Sequence, residues 1–125
     1  MELSDQSRVW NRAALEGGGK APLEGDAALA ALLAMHGIIM NGGIAHALEV
    51  LDVAEFADGI AALRYFGLDE TASVVETATR ADIGLELLNS KYGALIPNDA
   101  ALVAAFEKKY AASPHLFAAL EDEHA

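Results

Sequence analysis

The chain has 125 residues, no cysteine and a net charge of −11 from 19 acidic and 8 basic residues, with 54% hydrophobic residues. That length argues for one domain with a single core, stable without a disulfide or thiolate-bound metal, and the composition is too apolar for disorder. The charge sets the protein against direct binding of nucleic acid or an anionic membrane surface and makes a cationic protein the natural charged partner. The same charge also serves plain solubility.

Alanine, the least costly residue in a helix, is the commonest residue, only three prolines occur, and no segment alternates with period two as a strand requires. The expected fold is therefore all-α: a compact single-domain bundle of about six or seven short helices. Its N-terminal portion, residues 1–25, reads as a helix and a Gly-rich connector, and residues 26–125 as the helical domain proper.

Ser4 is a good N-cap with Asp5 in the first turn, and Val9, Trp10, Ala13 and Ala14 share one face of a helix running to about Glu16. Gly17-Gly18-Gly19 stops it, and the stretch to Gly25 reads as a flexible linker. Gly17 to Lys20 looks superficially like a phosphate loop, but it follows a helix where that loop requires a strand.

Asp26 is expected to cap a second helix, about Ala27 to Met40, with Leu29, Leu32, Leu33 and Met35 making it apolar nearly all round, as befits a central helix. Ala27 to Leu48 contains no Asp, Glu, Lys or Arg, a length that could span a bilayer. Gly37, Asn41, Gly42 and Gly43 interrupt it, His36 and His46 lie within it, and no basic anchor flanks it, so a buried helix followed by a second helix is the preferred reading. With a polar N-terminus and no apolar leader segment, the expected location is the cytoplasm.

Asn41-Gly42-Gly43 reads as a turn, glycine supplying positive φ and asparagine a left-handed or capping residue. A third helix, about Ile44 to Leu51, carries Ile44, Ala47, Leu48 and Leu51 on one face. Asp52 caps a fourth, about Val53 to Phe66, with Val53, Phe56, Ala57, Ile60 and Leu63 as its buried stripe and Gly67 just past its end. Arg64 falls toward that buried side, to snorkel or to pair with an acid of a neighbouring helix. Asp69 caps a fifth helix from Glu70 to about Ala81, with Val74, Val75 and Ala78 inward.

Leu85, Leu87 and Leu88 suggest a short helix, and Tyr92, Leu95 and Ile96 an apolar loop. A further helix follows from about Asp99 to Ala112, with Leu102, Val103 and Phe106 inside. Ser113-Pro114 restarts a helix that Leu116, Phe117 and Leu120 dock, and Glu121 to Ala125 is a polar tail.

No nucleotide-binding glycine motif, no HExxH and no nucleophile elbow occurs, so the chain is expected not to be an enzyme and to need no cofactor or metal. His36 and His46 would approach only if the second and third helices folded back on each other; a lone histidine on an apolar helix is more often a satisfied core residue. A converging pair with a carboxylate would revive an enzyme of unrecognised type.

The apolar helix, Asn41-Gly42-Gly43, the short apolar helix and the segment AEFADGIAALRYFGLDETASVVETA together resemble the small helical bacterial domain of otherwise unknown function found in DNA-mimic proteins. Ala61, Leu63, Gly67, Ala72, Val75 and Ala78 match its pattern approximately, as does the final YAASPHLFAAL. Ile44 and Leu48 stand where that family tends to have Phe or Tyr, and residues 1–25 lie outside the likeness, which covers about Leu29 to Leu120. The resemblance implies an all-α fold and, with less force, an acidic surface that occupies the DNA-binding face of a basic protein such as a transcription regulator.

The residues carry their own argument for that surface. From Ala21 to Leu63 there are six acidic residues and no Lys or Arg. Glu49, Asp52, Glu55 and Asp58 are the candidate partner-binding residues; on a helix, carboxylates three apart are spaced about 4.5 Å along the axis, a row that suits a basic groove. The bland reading is an ordinary charged face with Asp52 as a cap. A different reading is an oligomerising module, a homodimer for instance, with Tyr92 and Leu95 in an apolar interface.

Overall fold

The computed structural model describes residues 4–80 and 84–120. Over these residues the fold is all-α, with no strand: α1 (Asp5–Glu16), α2 (Glu24–Val50), α3 (Val53–Tyr65), α4 (Asp69–Thr77), α5 (Leu85–Leu95), α6 (Ala100–Ala112) and a single 3-10 turn, Pro114–Leu116. The polar tail and the expected end of the fifth helix at Ala81 lie outside the described residues.

α1 begins as its sequence demands. The Ser4 hydroxyl accepts from the Ser7 amide at 3.1 Å, and Gly17 ends the helix in the left-handed conformation, φ 60°. Val9 and Ala13 enter the same core as the later helices.

α2 is the axis of the domain. It is apolar on several sides because α1, α3, α5 and the 3-10 turn all pack against it. Leu29, Leu32, Met35, Ile39, Ile44 and Ala47 are buried along it. By length and composition it is also a helix that could cross a membrane, at mean hydropathy 1.7 over its most apolar window. Core helices of water-soluble domains meet the same criterion.

The second and third helices foreseen from the sequence are both present, and they meet at a kink within the range of α2. Gly43 has φ 83° and ψ 176°, outside helical space, yet the chain resumes its helix at once. The reason lies on α5: Asn89 Oδ1 accepts the Ile44 amide at 2.9 Å and so caps the resumed helix from outside. Both ring nitrogens of His36 are engaged by Tyr92 and Asp99, and the His46 ring lies beside Gly42 at the kink. Asp26 is not the cap of α2. The helix starts earlier than expected, at Glu24, so Asp26 is its third residue, and its carboxylate accepts the Leu23 amide at 3.0 Å from inside the first turn.

α3 and α4 are joined by a tight stop. The Gly67 amide donates to Arg64 O at 2.9 Å and the Leu68 amide to Leu63 O at 2.8 Å, with Gly67 at φ 79°. This is the Schellman arrangement, and it turns the chain within two residues. α3 approaches α2 closely at Gly59, where a Cβ would lie 2.5 Å from Met35 Sδ. The buried stripe of α3 is Phe56, Ile60 and Leu63 as expected, but Val53 and Ala57 are exposed. Val53 is the first residue of the helix and projects beyond the end of the interface. Arg64 is also exposed, and it pairs with Glu76 of α4 at 3.2 Å.

Residues 85–95 form one helix, not a helix and a loop, because Leu88 and Tyr92 stand one turn apart and both fill the core. Ser113-Pro114 restarts only one 3-10 turn; Phe117 beyond it inserts among Phe106 and Tyr110, with ring centroids 5.6 and 5.3 Å away.

Candidate functional site

Two polar assemblies are buried and one charged face is exposed. The first assembly centres on Asp26, whose surface is 0% exposed. Its carboxylate accepts from Arg12 Nη2 at 2.7 Å, the Leu23 amide at 3.0 Å and the Ala118 amide at 2.7 Å. Arg12 in turn donates to Ala118 O at 2.9 Å and Ala119 O at 3.3 Å. A buried carboxylate is tolerable only with such a full set of donors. One carboxylate and one guanidinium thus join α1, the start of α2 and the C-terminal segment. Gly25 makes room for this: a Cβ there would lie 2.7 Å from Leu116 O and 2.8 Å from the Phe117 ring.

The second assembly is a chain of three side chains. Tyr92 Oη of α5 lies 2.7 Å from His36 Nδ1, and His36 Nε2 lies 3.0 Å from Asp99 Oδ1 at the start of α6. A phenol that donates to Nδ1 leaves the Nε2 proton for the carboxylate, which defines the tautomer of a neutral imidazole. Burial pushes the Tyr92 phenol well above its ordinary range, and the negative Asp99 adds to the rise. Tyr92 is 1% and His36 4% exposed, so no substrate atom reaches their shared hydrogen bond in this conformation. The arrangement ties α2, α5 and α6 together, and His36 is a satisfied core histidine. Tyr92, expected in an apolar outer interface, is instead among the most buried side chains; Leu95 is half-buried.

The candidate partner-binding residues Glu49, Asp52, Glu55 and Asp58 are all exposed, at the end of α2 and along the first half of α3. Two of them also have local work. Asp52 Oδ1 accepts the Glu55 amide at 2.7 Å and Glu55 Oε1 accepts the Asp52 amide at 3.0 Å, a reciprocal capping box. Among the described residues Glu49 and Asp58 have no ion-pair partner.

A groove of about 490 Å³ opens on this corner, lined by Leu48, Leu51, Asp52, Val53, Phe56 and Ile60 and closed by Glu76, Ala78 and Thr79. Val53 is 88% exposed beside it, and Leu48 and Val50 are exposed as well. Periodicity could not reveal this feature. It assigns Leu48 and Val53 to inward stripes, and only the geometry of the α2–α3 corner shows that both reach past the helices they were expected to pack on.

The Asn41-Gly42-Gly43 kink holds no open anion site, since the Ile44 amide is taken by Asn89. Among the described residues no group of three His, Asp or Glu side chains is placed to hold a metal ion.

Tyr65 gives the α2–α3 face a further tie. Its hydroxyl donates to Glu24 Oε1 at 3.1 Å, and Lys109 Nζ sits 4.3 Å above its ring. Burial, then the hydrogen bond to Glu24 and the charges of Glu24 and Asp26, push its phenol up to about 12.

Compared with known proteins, the chain matches no family model, no curated protein and no solved structure.

Proposed function

We propose that this protein is a non-enzymatic, acidic protein-binding module that engages a basic partner through the α2–α3 corner. The observation that carries the reading is the placement of Glu49, Asp52, Glu55 and Asp58, exposed on adjoining elements within a stretch that lacks Lys and Arg. Such a face raises the encounter rate with a cationic surface and discriminates against anionic ones. The partner class that fits best is a basic DNA-binding protein, such as a transcription regulator, whose DNA site the acidic face would occupy. The reading sets the protein in the cytoplasm, where such partners are found, and it is consistent with the likeness to DNA-mimic domains in the Asn41-Gly42-Gly43 region.

The test combines affinity capture with DNA competition. Captured partners should be basic, duplex DNA should displace them, and raised salt should weaken the complex. Charge reversal is best made at Glu49→Lys and Asp58→Lys, which spare the capping box. Retention of the partner by that double variant would refute the reading; failure of DNA to compete would refute mimicry alone.

An oligomerising module is the second reading, favoured by the exposed Leu48, Val50 and Val53 rather than by the 85–95 helix. A dimer stable to salt in a solution mass measurement would support it.

A further inference from the structure

We infer that the groove at the α2–α3 corner receives the apolar face of a basic amphipathic helix. The inference rests on the acidic-module reading above and names the form of the partner.

The groove has an apolar floor and a carboxylate rim. Phe56, Ile60 and Ala78 are buried at its base, while Leu48 and Val53 stand at its edge as exposed apolar side chains. Its lining contains Asp52 and Glu76 and no Lys or Arg; Glu49 adjoins Leu48, and Glu55 and Asp58 follow on α3. Glu76 already pairs with Arg64, and Arg80 follows Thr79 at the far end, so the uncompensated negative charge lies on the side of Glu49, Asp52, Glu55 and Asp58. Exposed apolar surface concentrated in one place and framed by one sign of charge marks an interaction site.

Three arguments select the occupant. The charge rim rejects nucleic acid, anionic lipid and acidic peptides. It also disfavours a second copy of this chain, since two chains of charge −11 would meet through their acidic corners. Finally, the walls are helices, and no sheet edge exists among the described residues to pair with an extended peptide. A helix satisfies its own backbone and presents side chains at i, i+3, i+4 and i+7, the mode suited to a groove between helices. The volume matches a few such anchors. Lysine or arginine on the flanks of the entering helix would meet Glu49 and Asp58.

The test uses two labelled peptides of identical leucine and lysine content, one patterned as an amphipathic helix and one scrambled, with binding read by fluorescence anisotropy against the full chain. The patterned peptide should bind at least about tenfold more tightly, the gain expected of a few buried anchors. Val53→Asp should abolish that preference. This variant is informative because the new carboxylate falls in the first turn of α3, where it is tolerated, and adds attraction for a basic peptide while removing the apolar contact. Charge acting alone would therefore make it bind more tightly. Glu49→Lys with Asp58→Lys should weaken the patterned peptide about tenfold or more, as raised salt should.

Equal binding of both peptides, with Val53→Asp no weaker than wild type, overturns the groove proposal; release of both peptides by the charge-reversed variant would in that case leave the acidic-module reading standing. Patterned binding that survives charge reversal overturns the acidic-module reading and this inference with it. A wild-type dimer converted to monomer by Val53→Asp assigns the groove to a second copy and likewise overturns the proposal.

Discussion

Replacing Arg12 with methionine keeps much of its aliphatic packing and removes the charge that faces Asp26. Asp26 then remains buried with two backbone donors, the Leu23 and Ala118 amides, and no counter-charge. Breaking a buried pair from one side typically costs 3–5 kcal/mol; the two amides hold the expected value near the lower bound, about 3 kcal/mol. Asp26→Asn fails differently. The carboxamide oxygen can replace Oδ2 and accept from both amides, but its NH2 would then face the Arg12 guanidinium donor, so a cost of about 2 kcal/mol is expected for the unpaired donors. Because both changes strike the same contact, the double variant should be less damaged than the sum, with a coupling of about 2 kcal/mol. Urea denaturation of the four proteins, followed by far-UV circular dichroism, measures all these quantities. A cost below about 1 kcal/mol for Arg12→Met, or additivity within about 0.5 kcal/mol, would show that the pair is solvated and that the burial argument is wrong.

Other consequences follow from the same packing. Gly25→Ala should cost about 1–3 kcal/mol in a denaturation experiment, because its Cβ meets Leu116 O and the Phe117 ring, neither of which can retreat without undocking the C-terminal segment. Tyr92→Phe deletes the donor to His36 Nδ1 and should cost about 1–3 kcal/mol, whereas Asp99→Ala should cost less because the Asp99 side chain is 73% exposed and water can replace it. Asp52→Ala removes an N-cap and should cost about 1 kcal/mol, against roughly 0.5 kcal/mol or less for Asp58→Ala on the same helix. At high pH, Tyr65 and Tyr92 both resist ionisation when folded. A raised folded pKa means that their contribution is complete below the ordinary phenol value of about 10 and is lost as pH climbs through the folded value, about 12 for Tyr65. Spectroscopic titration of phenolate absorbance should show late ionisation; ordinary titration of Tyr65 would contradict the Glu24 contact.

Local signals in the chain read out correctly where the physics is local. Ser4, Asp52 and Gly67 announce a helix start, a capping box and a helix stop, because each acts on backbone within about one turn. Asp26 misleads for the opposite reason: it has the look of a cap, but two of its three donors, Arg12 and Ala118, come from 14 and 92 residues away. Asn89 capping the resumed half of α2 is likewise invisible at short range, as it spans 45 residues. His36 could be placed on an apolar helix and read as a satisfied core residue, while its partners Tyr92 and Asp99 lie on helices whose docking no periodicity reports. The acidic corner was legible as charge, since carboxylates on a helix opposite an apolar stripe must face water. Its groove was not, because Leu48 and Val53 satisfy every rule for an inward residue except the final one of having a neighbour to meet.

The contacts of Asp26 also impose an order on synthesis. Its charge acquires its last donor only when Ala118 arrives, so during translation the N-terminal helices must wait with a solvated carboxylate while nearly the whole domain is made. Closing so long a loop carries an entropic cost that local helix contacts do not bear, which favours a late locking step. A nascent chain stalled before Ala118 has left the ribosome should remain sensitive to protease near Pro22, and release of a few further residues should be enough to protect it.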